Sequence, residues 1–188
     1  QSAPGATVCV ECPAGAHCAE GASAALLCDA GSFRSTTGAR NQSECDACPP
    51  GSACATGSTA ATACEAGTIA AGERESVCNA CNAGTYQSAR GATVCVASPA
   101  GSFSLARATT HTPCAPGTFT AGSGFSSCAA CVAGKYQSAS GATSCVDVRA
   151  GYYSLARSTV ELACSPGEIT STAGQSGCVA CAQGSYQS

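Results

Sequence analysis

The stretch GTYQSARGATVC (84–95) returns fifty residues later as GKYQSASGATSC (134–145), and its opening appears again as GSYQS (184–188). The middle portions match too, AGSFSLAR (100–107) against AGYYSLAR (150–157). Self-similarity at a fixed period is the signature of a repeat architecture, in which each unit buries its surface against its neighbours. The first residues, QSAPGATVC (1–9), have the form of the same unit's tail, so the chain is expected to open and close at one phase of a longer array. The expected division is a tail at 1–9, a short unit at 10–45, full units at 46–95 and 96–145, and a truncated unit at 146–188.

Composition says what has to hold such units together. Of 188 residues 18 are cysteine, Met and Trp are absent, and Leu, Ile, Val and Phe together number only 21. Burying a Leu-sized side chain contributes about 1.5–3 kcal/mol and Ala far less, whereas ordering one residue's backbone costs about 1–2 kcal/mol. A large apolar core is out of reach, so the cohesion is expected to be covalent. Cysteine at this density belongs to secreted, disulfide-stapled chains folded in an oxidising compartment.

Cysteine spacing sharpens the repeat. Cys64/Cys78, Cys81/Cys95, Cys114/Cys128, Cys131/Cys145 and Cys164/Cys178 each enclose thirteen residues, with Gly at the third enclosed position; Cys28/Cys45 encloses sixteen. Cys12/Cys18 and Cys48/Cys54 enclose five. Connectivity is ordinarily hidden in sequence, but the repeat supplies an internal control. Cys12 and Cys48 align with Ser98 and Val148, and Cys18 and Cys54 with Ser104 and Ser154, so both members vanish together. Joint loss is the behaviour of a bonded pair. The expected scheme bonds neighbours in order: 12–18, 28–45, 48–54, 64–78, 81–95, 114–128, 131–145 and 164–178. Cys9 and Cys181 remain as open ends whose partners lie within or between chains. A bridge closing about 15 residues removes roughly 3 kcal/mol of unfolded-state entropy.

Each thirteen-residue loop reads as a hairpin: a short strand such as 85–88, a Gly turn, and a return strand ending at the second cysteine. Pro50-Gly51, Pro116-Gly117 and Pro166-Gly167 are turn dipeptides. Sustained 3.6-residue apolar periodicity is missing, and the Ala-rich run 21–27 has room for one helical turn at most. The expected fold class is small, disulfide-rich and all-β: an elongated tandem array of disulfide-closed hairpins with little helix. Tyr86, Tyr136 and Tyr186, with Phe33 and Phe119 in related places, are expected to pack over adjacent disulfides; a ligand-stacking platform is the sharper alternative.

The pattern Cys-x-x-Cys-Pro-x-Gly, carried by 45–51, and its relative at 78–86 resemble the cysteine-rich repeats of ephrin-receptor-like and tumour-necrosis-factor-receptor-like modules. The Ala/Gly/Ser/Thr-rich filler and near-identical units are most similar to long surface proteins of algae and protists, including those of flagellar hairs (mastigonemes). That resemblance implies an extracellular, glycan-coated fibre at the cell or flagellar surface. The sequence departs from the pattern at Ser98/Ser104 and Val148/Ser154, and where Asn82 and Val132 stand in place of Pro.

Other chemistries fit less well. Five Cys-x-x-Cys pairs (9/12, 45/48, 78/81, 128/131, 178/181) could suggest zinc, but four ligands must converge tetrahedrally, and cysteine here is lost in pairs with only two His present. A thioredoxin-type role needs a βαβ context and a low-pKa thiolate. His17, read as an exposed turn residue, and His111 lack a nucleophile and an orienting acid in sequence context; Glu73 and Glu75 flank Arg74 as a solvated turn. No catalytic residue, cofactor or metal is therefore assigned, and no enzymatic activity is expected. Net charge is −3 with scattered Arg and Lys, unlike a nucleic-acid footprint, and no apolar run reaches membrane-spanning length. Asn41-Gln42-Ser43 is an N-glycosylation acceptor, and 58–59 and 109–110 offer O-linked candidates. The expected function is a structural subunit of a glycosylated extracellular fibre, self-associating or joined to other extracellular proteins. The alternative is a receptor or adhesin ectodomain stalk.

Overall fold

The computed structural model describes residues 8–187. Its regular structure is ten two-stranded antiparallel sheets, every strand two residues long, and one 3-10 turn at Gln42–Glu44. The result is the disulfide-rich, nearly all-β array of hairpins that the cysteine spacing predicts. The chain forms two compact units, one running up to Cys81 and taking in Gln87–Cys95, the other holding Asn82–Tyr86 and continuing from Val96.

A turn of four residues leads into the first strand of each hairpin. In the hairpin opened by Cys48, the Ser52 amide donates to the Pro49 carbonyl at 3.1 Å, with Gly51 between them at φ 81°. A positive φ at the third residue marks a type II turn, where glycine is favoured and Pro50 pre-sets the residue before it. Many hairpins add a hydroxyl across the same turn: Thr68 Oγ1 donates to the Glu65 carbonyl at 2.7 Å and Thr118 Oγ1 to that of Ala115 at 2.6 Å.

In the first unit Ala16–His17 pairs with Leu26–Leu27, Ser32–Phe33 with Asp46–Ala47, Ser52–Ala53 with Thr62–Ala63, and Thr68–Ile69 with Asn79–Ala80. In the second, Thr85–Tyr86 pairs with Val96–Ala97, Ser102–Phe103 with Thr112–Pro113, and Thr118–Phe119 with Ala129–Ala130. Lys135–Tyr136 with Val146–Asp147, Tyr152–Tyr153 with Leu162–Ala163, and Glu168–Ile169 with Val179–Ala180 complete it. Two features depart from the sequence reading. The return strand lies beyond the second cysteine of the thirteen-residue loops, because that cysteine ends the loop and only the next two residues face the first strand. Leu26–Leu27 is a strand, not part of a helical turn, since pairing with Ala16–His17 satisfies main-chain groups that one isolated turn would leave open.

The hairpins open at 12, 28, 48, 64, 81, 98, 114, 131, 148 and 164, sixteen or seventeen residues apart except for twenty between Cys28 and Cys48. Each fifty-residue repeat therefore holds three hairpins. Within a unit, successive hairpins are joined by main-chain hydrogen bonds. Between the hairpins at Ser98 and Cys114, Gly101 N donates to Thr120 O (3.0 Å), Ser104 N to Phe125 O (3.2 Å), Gly124 N to Ser98 O (2.8 Å) and Cys114 N to Gly101 O (2.8 Å). The same four bonds join the hairpins at Cys12 and Cys28.

Contact also reaches the second hairpin ahead. A Cβ on Gly51 would lie 2.1 Å from the Gly91 carbonyl oxygen, and one on Gly101 would lie 2.0 Å from that of Gly141. Gly15, Gly31, Gly84, Gly117 and Gly134 meet a carbonyl in the same way, so each of these turn glycines is a seat for the main chain two hairpins on. Hairpins in each unit stack in two columns, tied crosswise by the hydrogen bonds between successive members. The core that results is a line of small groups: Cys28, Cys48, Cys54, Cys64, Cys81, Cys114 and Cys131 are all buried, with Val148 the largest side chain that is fully enclosed.

Candidate functional surface

Eight disulfides cross the hairpins: Cys12–Cys18, Cys28–Cys45, Cys48–Cys54, Cys64–Cys78, Cys81–Cys95, Cys114–Cys128, Cys131–Cys145 and Cys164–Cys178. Cys9 is exposed and Cys181 half-buried, and both are unbridged. The two members of each inner Cys-x-x-Cys pair belong to different bridges, so these sulfurs are not free to converge on a metal. Among the described residues no group of three His, Cys, Asp or Glu side chains is placed to hold a metal ion.

Where the short bridge is missing, its place is filled. Ser98 Oγ lies 2.7 Å from Ser104 Oγ and 3.0 Å from the Gly84 carbonyl, and both hydroxyls are buried. A buried hydroxyl needs such partners, because leaving one unsatisfied costs about 1–3 kcal/mol. In the next repeat Val148 fills the opening position with its apolar side chain, and Ser154 Oγ donates to the Lys135 carbonyl at 3.1 Å.

The remaining residues singled out by the sequence are dispersed. His17 is half-buried in a strand opposite Leu26 rather than in an exposed turn, because the five-residue loop between Cys12 and Cys18 contains the hairpin's first strand. His111 packs its ring on Tyr86, centroids 5.3 Å apart, with its Nδ1 buried and without a hydrogen-bond partner. Tyr86 is thus held by a histidine, while Tyr186 is exposed. Arg74 turns the chain at φ 62°, separating exposed Glu73 from half-buried Glu75. Asn41 is exposed and caps the 3-10 turn, its Oδ1 accepting from the Ser43 amide at 3.0 Å.

A surface feature that no sequence motif marks is aliphatic. Leu26, Val96, Val146, Leu162 and Val179 each open a return strand and stand exposed, as do Leu105 and Leu155 after the hairpins' first strands. In sequence the five return-strand residues stand two places before positions 28, 98, 148, 164 and 181, a pattern that acquires meaning only once the return strand is located. In the second unit a shallow hollow of about 500 Å³ is lined by Phe119, Ala129, Ala130, Val132, Lys135, Ser144 and Cys145. Its one charged wall residue, Lys135, is engaged by Asp147 at 2.7 Å. Such a hollow lacks the convergent polar groups that orient a small ligand and fits an apolar side chain.

The geometry offers a repeated scaffold with apolar studs. No protein-family model matches this chain, and no characterised protein shows significant similarity to it.

Proposed function

We propose that this chain is a structural subunit of an extracellular fibre or filament, of the kind that the resemblance to algal and protist surface proteins implies. The observation that carries the reading is the junction between hairpins. It is made from main-chain hydrogen bonds and glycine seats, and it has the same form at successive steps within each unit. Side chains contribute little to it, so the outer positions are free to vary and to meet neighbouring molecules. Eight bridges in 188 residues are characteristic of a secreted or extracellular protein.

A mismatch of periods adds support. The sequence repeats every three hairpins, whereas seating on the second neighbour gives columns that repeat every two. Equivalent side chains such as Leu105 and Leu155, or Val96 and Val146, consequently fall in different columns of the second unit. A subunit with the same aliphatic studs in both columns can contact more than one neighbour, which is what lateral assembly requires.

Electron microscopy of the native secreted material, with and without reductant, tests the proposal. Regular filaments that reductant abolishes are the expected result. Isolated particles under non-reducing conditions would overturn it and move the reading to a receptor or adhesin stalk.

A further inference from the structure

Among hairpins whose openings otherwise lie sixteen or seventeen residues apart, the one opened by Cys28 is longer, with twenty residues before Cys48. The added length sits between two buried residues, Ala39 and Cys45, and takes the form of the 3-10 turn Gln42–Glu44 capped by Asn41. Its first residue holds the turn to the hairpin: Gln42 Oε1 accepts from the Asp29 amide at 3.1 Å, and Gln42 Nε2 donates to Ser32 Oγ at 3.1 Å. Arg34 Nη1 ties down the far end by donating to the Glu44 carbonyl at 2.9 Å. The turn is therefore an anchored excursion that leaves the stacking bonds of its hairpin in place, including Gly38 N to Cys12 O at 2.8 Å.

What the excursion displays is the acceptor triplet. Asn41 and Ser43 are both exposed, and Ser43 Oγ donates to Asn41 Oδ1 at 2.5 Å, so the hydroxyl that defines the triplet already lies on the amide it serves. Asn41 Nδ2 makes one contact, donating to Glu44 Oε1 at 3.4 Å. An amide nitrogen carries two N–H groups. One is left to exchange for a sugar while the other keeps that contact.

We infer that Asn41 carries an N-linked oligosaccharide. In the transfer, Nδ2 forms a bond to the anomeric carbon of a polyprenyl-pyrophosphate-linked oligosaccharide. The carbon–oxygen bond to the pyrophosphate breaks, the lipid pyrophosphate leaves with the bonding electrons, and Nδ2 gives up one proton. The inference rests on the extracellular reading above only in requiring passage through a secretory pathway. The glycan would project from the lengthened hairpin.

The test is secretion of the full chain from a eukaryotic host, followed by peptide mass mapping before and after peptide N-glycosidase. The expected result is a hexose- and N-acetylhexosamine-bearing peptide whose release converts Asn41 to Asp. The modification should vanish in both Asn41→Gln and Ser43→Ala, the second of which keeps the Asn41 side chain and its backbone cap, and should persist in Ser43→Thr. Unmodified Asn41 in the secreted wild-type chain, with the host's own glycoproteins occupied, would overturn the inference. Filaments formed by that unmodified chain would leave the fibre proposal standing, and a glycan on a chain that forms none would remove the fibre proposal alone.

Discussion

The hairpins opened by Cys12 and Cys48 in the first unit are closed by short disulfides, whereas their counterparts at Ser98 and Val148 in the second have none. The fold is the same in both. Ser52–Ala53 pairs with Thr62–Ala63 as Ser102–Phe103 pairs with Thr112–Pro113, and Gly51 and Gly101 receive their carbonyls at 2.1 and 2.0 Å from a notional Cβ. A disulfide, a shared hydroxyl hydrogen bond and a buried valine are thus interchangeable at one position. The comparison teaches that the short bridge fills a small volume and trims unfolded-state freedom, while the seat and the junction bonds define the hairpin's place in the stack.

If that is right, the largest effect should come from the seats and should be equal in the two kinds of hairpin. Gly51→Ala and Gly101→Ala each place a methyl into a main-chain carbonyl, at φ 81° and 79° where non-glycine residues are disfavoured. Each should lose about 3 kcal/mol or more of local stability, read by amide exchange of the neighbouring turns. A much smaller loss in the bridged hairpin would make the disulfide, not the seat, the primary constraint.

The long bridges come next. Replacing Cys114 and Cys128 together by Ala releases a loop of about 15 residues and should cost roughly 3 kcal/mol in denaturant unfolding. Exchange of the short bridge should matter less and be reciprocal. Cys48→Ser with Cys54→Ser gives up about 2 kcal/mol of loop-closure entropy and regains about 1 through a hydroxyl pair like that of Ser98 and Ser104. Installing Ser98→Cys with Ser104→Cys should gain about 1 kcal/mol under oxidising conditions and nothing under reducing ones. A loss comparable to that of the long bridge would break the equivalence.

The smallest expected effect concerns the carbonyl that each seat receives. Arg157 occupies at φ 63° the place that Gly141 holds at φ 72° in the preceding hairpin, and its carbonyl sits on Gly117. Arg157→Gly relieves a left-handed conformation that costs a side-chain-bearing residue about 1–2 kcal/mol, offset in part by the greater freedom of glycine when unfolded. A gain of about 0.5–1 kcal/mol is expected, measured as a shift in the denaturant midpoint. No gain would mean that the arginine side chain contributes as much as its backbone costs.

Much of this was legible in the residues. The repeat, the thirteen-residue cysteine loops and the Pro-Gly dipeptides point to hairpins, because turns and covalent closure leave local signatures. The return strands leave no such signature, because Val96–Ala97 and its equivalents lie outside the loops and are too short for alternation to register. The second-neighbour seats left only a glycine three residues into each hairpin, since the contact is made by backbone and selects no side chain. Asn41 could be found as a motif, but its anchoring by Gln42 and Arg34 depends on atoms thirteen and ten residues apart in sequence. The aliphatic studs were invisible until the return strands had a location.

The most direct test of the account is peptide mapping of the non-reduced protein, with fragmentation that resolves linkages within the crowded stretch 45–54. The account predicts Cys28 joined to Cys45 and Cys48 joined to Cys54, so that each bridge closes a single hairpin. A link from Cys45 to Cys54, tying one hairpin to the next, would contradict it.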